Sequence, residues 1–474
     1  MIPKKYQKFI AASLTAICLI VWHQPAWAIS LKEEKQLSQE FMRVINRYYK
    51  LIDDPVITAY VNEVGQRLLS QMPPQPFAYK FHVIDEDVYN AFAIPAGYIF
   101  VNSGLFLAMD REDELAGILA HEISHVVCRH ISQRIERSKK IELATLAGMV
   151  AGIFLGVAGG GADASQALTL GSVAAGQSAS LAFSREDETQ ADQFGLTYLY
   201  KAGYTADGLL EMLKKIRGKQ WFDQTPSYMM THPAIEERIS GIDSWMQSRG
   251  KESKKTLPPL CTPEEFHRLQ YRLRALYGDR DTTLQYFKSQ LDQKPKDAGL
   301  AYGLGLTYNR LGNQPEAIEY LQKALAQNAL DPMVLSDLGK AYFESGRLSD
   351  ALRVLNGAVS LRGANTLGWF YLGRTQMELG DFAAAADAFE HTIQQQDDYA
   401  QAYYFLGQTQ EKLGREPDTH YYLGLYYFLK GDDRNAHHHL VRAQKSVQDP
   451  AKLEIIKRTL EIIGKLPPEP QGGR

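Results

Sequence analysis

The sequence is poor in cysteine. Three occur in 474 residues, which excludes a disulfide framework as the source of stability. It also lacks an excess of positive charge. Lys and Arg number 52 against 55 Asp and Glu, so nothing marks a nucleic-acid or anionic-lipid partner. Apolar residues make up 45% and charged residues 23% of the chain. Those are ordinary values for a soluble globular protein, and they exclude a disordered chain, a collagen-like repeat and a polytopic membrane protein. At roughly 100–200 residues per domain, the length holds two or three domains.

What is present begins with an address. Lys4, Lys5 and Lys8 precede the apolar run Phe9 to Trp22, and Pro25-Ala26-Trp27-Ala28 supplies an A-x-A site. Charged, apolar and small-residue regions in that order predict a secretory signal over residues 1–28, cleaved after Ala28. The run falls short of the ~20 residues of a membrane span, which disfavours an uncleaved anchor. Ile17 is the wrong residue before Cys18 for a lipoprotein site. The mature chain keeps 49 basic and 55 acidic residues together with Cys128 and Cys261. Its compartment permits disulfides, and either one bridge or two buried thiols fits.

Residues 247–262 (QSRGKESKKTLPPLCT) are polar, basic and proline-containing, as a linker would be. After them the sequence repeats. Gly278, Gly312, Gly346, Gly380 and Gly414 are 34 residues apart, and Gly305, Gly339, Gly373 and Gly407 keep the same period. Ala317, Ala351 and Ala385 follow in phase. A 34-residue helix-turn-helix period is that of tetratricopeptide repeats, here expected over 263–464. Leu423-Gly424 and Gly431 come 17 residues after Leu406-Gly407 and Gly414, as if one helix of a pair were missing. Tyr399, Tyr403, Tyr404, Tyr421, Tyr422, Tyr426 and Tyr427 crowd this region as inter-helix core or as the lining of a groove. His437-His438-His439 reads as a solvated face, because adjacent residues point apart on a helix. The tail 465–474 reads as disorder.

The chemistry lies between residues 85 and 240. Ala116 to Ile135 is a strong helical stretch holding His121-Glu122-Ile123-Ser124-His125. Histidines at i and i+4 share one helical face, so both imidazoles can bind one Zn²⁺ while Glu122 projects toward the water the metal activates. Catalytic zinc usually takes a third protein ligand. Glu188 and Asp192 share a face of a second helix, where one carboxylate can reach the metal and the other can hold the tautomer of a ligating imidazole. Glu186 competes with Glu188 as the ligand. Gly97 to Asn102 predicts a strand before the metal helix, and Asn90 to Ala93 forms either a sheet edge that receives substrate as an added strand or plain core.

His121-Glu122-Ile123-Ser124-His125, the Glu188-Asp192 helix and Asn90-Ala91-Phe92-Ala93-Ile94-Pro95-Ala96-Gly97 together resemble the HtpX and CAAX-prenyl-protease superfamily of zinc metallopeptidases. Ile94-Pro95-Ala96-Gly97 departs from the usual Leu-Pro-Gly-Gly. Signal, soluble catalytic domain and repeat tail resemble a periplasmic branch of that superfamily. The resemblance implies a mainly α fold: a gluzincin-like metallopeptidase domain with a small β-sheet over 29–246, then an α-solenoid. It implies one Zn²⁺ per chain, held by His121, His125 and Glu188, with Glu122 as general base and Asp192 behind the metal. Thr231-His232-Pro233 and Arg238 match a His and Arg that lie beside the metal in the superfamily. Either suits an oxyanion, and His232 is a possible fourth ligand that would hold the enzyme latent. The implied role is quality control and assembly of outer-membrane β-barrel proteins. Misfolded or stalled barrels would be substrates, the repeats would meet the β-barrel assembly machinery, and peripheral membrane contact is possible. The rival is a repeat-based chaperone or adaptor whose protease half is latent. Leu143 to Gly161 carries no charge and spaces Gly148, Gly152, Gly156 and Gly160 four apart. With the Ala/Ser-rich run that follows, to residue 183, it forms either a cover over the cleft or a membrane-associated hairpin.

Overall fold

A computed structural model describes residues 29–137, 183–219, 226–249, 258–361 and 365–465. The expected leader, the insert up to residue 182 and the tail beyond Lys465 lie outside them. Helix α1 (Leu31–Tyr48) opens on a capping box in which Ser30 and Glu33 satisfy each other's backbone N–H groups. Helix α2 (Pro55–Leu69) opens on Asp54, which accepts from the Ile57 N–H, with proline at the first helical position. Strands β1 (Lys80–Ile84), β2 (Ala91–Ile94) and β3 (Tyr98–Asn102) form one sheet in the order β1-β3-β2. β3 runs parallel to β1 and antiparallel to β2, with Phe92 opposite Phe100. The expected strand before the metal helix is thus the central one. Ala91–Ile94 is an edge strand, with all four of its residues buried.

Seven helices complete the described N-terminal half: α3 (Ser103–Leu107), α4 (Glu112–Val127), α5 (His130–Arg137), α6 (Arg185–Lys201), α7 (Asp207–Lys219), α8 (Ser227–Thr231) and α9 (Ile235–Arg249). Apolar residues sort to two sides of the sheet. Leu37, Phe41 and Ile45 of α1 cover Ile84, Phe92, Ile94 and Phe100. Ile57, Val61 and Leu68 of α2 join Leu115, Ile118 and Leu119 of α4 in the larger core, each such side chain contributing about 1.5–3 kcal/mol on burial. Two close approaches fix α4. A methyl group on Gly195 of α6 would stand 3.2 Å from the carbonyl of Ala120, and one on Gly208 of α7 would stand 2.1 Å from the Asp113 oxygen.

From α10 (Pro263–Tyr277) onward the chain is helical: α11 (Arg280–Gln293), α12 (Ala298–Arg310), α13 (Gln314–Ala324), α14 (Pro332–Glu344), α15 (Leu348–Ser360), α16 (Thr366–Glu378), α17 (Phe382–Gln395), α18 (Ala400–Lys412), α19 (Glu416–Leu429), α20 (Asp433–Ser446) and α21 (Pro450–Lys465). Gly305, Gly339, Gly373 and Gly407 meet Leu321, Leu355, Phe389 and Leu423 of the following helix. Gly312, Gly346, Gly380, Gly414 and Gly431 sit in the left-handed region with φ between 72° and 82°, as helix-ending glycines do. Gly278 of the degenerate first unit has φ −62° instead.

The expectation of a missing helix is corrected here. Leu423 packs on Gly407 of α18, while Gly424 receives Leu440 of α20. Helix α19 is therefore the second helix of one pair and the first of the next, and the 17-residue interval reflects overlap of two pairs. Tyr403, Tyr421 and Tyr422 are buried among these helices. His437 and His438 are exposed, whereas the His439 Nδ1 lies 2.9 Å from Nδ1 of His420. No helix among the described residues is long and apolar enough to cross a membrane.

Several contacts join the halves, among them two clusters built on Arg272 and Glu112. Arg272 of α10 is 2% exposed. Its Nε and Nη2 each donate to Asp54 at 2.7 Å, and its Nη1 donates to Tyr302 and Asp337. Asp54 thus caps α2 and anchors the repeats at once. Glu112, the first residue of α4, accepts from Tyr204, from Tyr60 and from the backbone N–H groups of Leu260 and Cys261. Cys128 and Cys261 are both free thiols, so of the two arrangements left open the unbridged one is found. Burial pushes the Cys261 thiol up to about 12 and Cys128 to about 11. Removing Arg272 leaves Asp54 and Asp337 buried without their cation. Arg272→Ala is expected to cost about 3–5 kcal/mol in denaturant unfolding, with Asp337→Asn, which keeps a hydrogen-bond acceptor, milder.

Candidate metal centre

His121 and His125 lie one turn apart on α4, both fully buried, with their Nε2 atoms 3.0 Å apart. The close approach at Gly195 brings α6 alongside. Glu188 Oε2 then stands 3.4 Å from His121 Nε2, and Glu188 Oε1 stands 3.5 Å from His125 Nε2. Glu186, the competing carboxylate, is exposed. His232, at the end of α8, completes the group with Nδ1 3.0 Å from Glu188 Oε1 and 3.3 Å from His121 Nε2. One ligand atom from each of the four residues lies within 4.8 Å of the others.

Behind the ligands each imidazole is oriented. His121 Nδ1 lies 2.8 Å from Asp192 Oδ1, so its N–H donates there and Nε2 faces the centre. Asp192 also accepts from Nε and Nη2 of Arg238, both at 2.8 Å. Arg238 places Nη1 2.8 Å from Glu188 Oε2. The guanidinium, expected from sequence beside an oxyanion, is thus engaged with two carboxylates. His125 is held by a residue the sequence did not single out. His130 Nδ1 is 3.0 Å from His125 Nδ1, and His130 Nε2 is 2.8 Å from Gln190 Oε1. With Nε2 of His125 turned to the centre, its Nδ1–H donates to His130, whose own Nε2–H donates to Gln190. Two aromatic rings were also missed. Phe183 lies 3.8 Å from the His125 ring and Tyr228 stacks on His232 at 4.4 Å, measured between centroids. A histidine just past the end of the metal helix is the only sequence signal among these.

Burial favours neutral forms here, and the local charges oppose it unevenly. Burial raises the Glu122 carboxyl above its usual range despite His232 and His121 nearby. Burial depresses His125 well below an ordinary imidazole. Burial also works against ionised Asp192, but Arg238 and His121 outweigh it and bring the carboxyl down to about 2. Glu188 is likewise held low by His232 and Arg238 against its burial. Burial and Arg238 both oppose protonation of His121, yet hydrogen bonds to Asp192 and Glu188 raise it to about 9.

Both Glu122 oxygens and His232 Nε2 are buried atoms with no hydrogen-bond partner among the described residues. Native interiors rarely leave such groups unpaired. Three imidazoles and a carboxylate converging at one point form a donor set suited to zinc, so the residues fit a divalent transition metal. Glu122 lies beside this point, its Oε1 3.5 Å from His232 Nε2.

Comparison with known proteins agrees with this geometry. Residues 55–246 match the model of peptidase family M48. Tetratricopeptide-repeat models match residues 278–332, 315–363 and 372–418. A Vibrio cholerae protein is 31% identical over 59% of this chain and 57% of its own length. An Escherichia coli K12 protein is 28% identical over 53% of this chain and 50% of its own length. Both carry the name beta-barrel assembly-enhancing protease. The mitochondrial metalloendopeptidase OMA1 of Schizosaccharomyces pombe is 29% identical over 46% of this chain and 62% of its own length. The chain thus spans about half the length of the curated bacterial relatives it matches. Residues 55–246 thus carry a peptidase family M48 domain, and tetratricopeptide repeats follow it.

Proposed function

We propose that this chain is a zinc-dependent endopeptidase exported to the periplasm, where it takes part in quality control and assembly of outer-membrane β-barrel proteins. The observation that carries the hydrolytic reading is the buried convergence of His121, His125, Glu188 and His232 beside the unpartnered carboxylate of Glu122. The names of the bacterial relatives support the substrate class, and the A-x-A leader supports export.

His121, His125 and Glu188 would hold the zinc, with His232 as a fourth ligand in the resting enzyme. Bound zinc supplies Lewis acidity, polarising the scissile carbonyl and lowering the pKa of water toward ~7. Glu122 accepts the proton of the attacking water and delivers it to the leaving amine. Its burial raises its proton affinity, which suits a carboxylate that must hold a proton between the two steps. Asp192 and His130 keep the ligating imidazoles in the right tautomer. Arg238 holds Asp192 and Glu188 in place. His232 has two positions in this scheme. Among the ligands it keeps the enzyme latent, and displaced from them it donates to the oxyanion through a ring N–H. The repeats recruit the protein substrate and meet the assembly machinery.

Three outcomes test this reading. Glu122→Gln should lower casein or self-cleavage by about 10²–10⁴-fold with zinc content unchanged by elemental analysis. Full activity in that variant overturns the mechanism. His130→Ala should weaken zinc affinity by about 10–100-fold in a chelator competition. His232→Ala should raise proteolysis of an unfolded substrate. An equal rate counts against the latch.

A further inference from the structure

The first described residues hold an arrangement that proteolysis does not use. Ile29 directly follows the A-x-A site. Its N–H donates to Glu136 Oε1 at 2.5 Å, and its carbonyl oxygen accepts from Nη2 of Arg129. Arg129 donates through Nε to Glu34 Oε1 at 2.8 Å, and Glu34 is only 2% exposed. One carboxylate therefore meets the Ile29 nitrogen, and a guanidinium paired with a second carboxylate holds the carbonyl of the same residue. This group carries one negative charge more than it carries positive. An ammonium at that nitrogen would balance it and would turn a neutral hydrogen bond into a charge-assisted one, roughly twice as strong.

Export supplies that group. Hydrolysis of the Ala28–Ile29 peptide bond by a leader peptidase consumes one water. It leaves a carboxylate on Ala28 and an ammonium on Ile29. No residue lies between Ile29 and Ser30, the cap of α1, so the new terminus is tethered where Glu136 can receive it.

The site reaches the metal ligands along α5. Arg129 joins α4 to α5 with φ 56°, a conformation that a non-glycine residue keeps only where its surroundings impose it. Glu34 and the Ile29 carbonyl hold it there. The next residue is His130, which orients His125, and Glu136 lies about two turns further on. The amino terminus is thus fastened at both ends of the helix that carries His130.

We propose that Glu136, Arg129 and Glu34 form a binding site for the α-ammonium group of Ile29, created when the leader is removed, and that its docking fixes α5 and, through His130, the ligand His125. The proposal rests on the reading that cleavage falls after Ala28.

The test uses the full chain exported with its own leader. Intact mass establishes the first residue. A second form carries one glycine inserted between Ala28 and Ile29, which keeps the cleavage site but moves the ammonium one residue away. Glu136→Gln is then made in both forms, since glutamine retains an acceptor and removes only the charge. In the chain beginning at Ile29, Glu136→Gln should lower the melting temperature by about 2–4 °C and accelerate zinc loss to a chelator. In the glycine-extended chain both effects should shrink to less than half. Equal effects in the two forms would overturn the proposal. So would a mature chain beginning at another residue, and neither result touches the hydrolytic reading, which stands or falls with Glu122→Gln.

Discussion

The arrangement depends on how closely helix α6 approaches helix α4. Gly195 leaves no side chain between the two backbones at Ala120 and His121. At that separation Glu188, one side chain on α6, can stand within 3.5 Å of imidazoles that α4 presents on one face. A side chain at residue 195 would wedge the helices apart, and Glu188 would lose its place before any ligand was altered. Gly208 performs the same service for α7 at the start of α4. The metal helix is therefore clasped on two flanks by backbone contact, a more rigid mounting than side-chain packing alone provides.

Rigid placement makes the buried charge tolerable. Ionised groups in a dry interior are costly unless each is paired and its remaining hydrogen-bonding capacity is filled. Arg238 meets this need for Asp192 and approaches Glu188, and Asp192 in turn orients His121. His130 and Gln190 do the equivalent for His125 without adding charge. Glu122 is left out of every such arrangement. A carboxylate placed without partners beside a completed donor set is a poor structural device, and this asymmetry sets Glu122 apart from the groups around it.

The repeats are not a loosely tethered appendage. Arg272 reaches from the first repeat helix into a buried cluster with Asp54 and Asp337, and Lys80 on β1 lies 3.6 Å from Asp398 far along the array. Glu112 draws residues 260 and 261 onto the first turn of α4. A displacement of the repeats is therefore felt at the start of the metal helix and at the cap of α2. That linkage offers a physical route between the repeats and the half that holds the candidate metal centre.

Features written in local spacing were legible in the chain itself. The His121–His125 pair needs only the 3.6-residue period of a helix, and the repeats announce themselves through glycines 34 apart, because in both cases the interacting groups are neighbours in sequence. The Glu188–Asp192 face was legible as a candidate for the same reason, although Glu186 remained its rival until burial separated them. Helix α19 was misjudged because a shortened interval fits both a lost helix and a shared one. Leu423 and Gly424 settle it only by the partners they meet on opposite sides. Phe183 and the Arg272 cluster were out of reach because each acquires its meaning from residues tens to hundreds of positions away, while His130 and Tyr228, only a few residues from His125 and His232, gain a role only once those imidazoles are gathered. The sequence by itself determined the periods, and with them the two architectures and the metal-binding turn. Only the tertiary structure decided which distant groups complete the site, since a side chain's partners are set by how closely helices approach, and no local pattern encodes that distance.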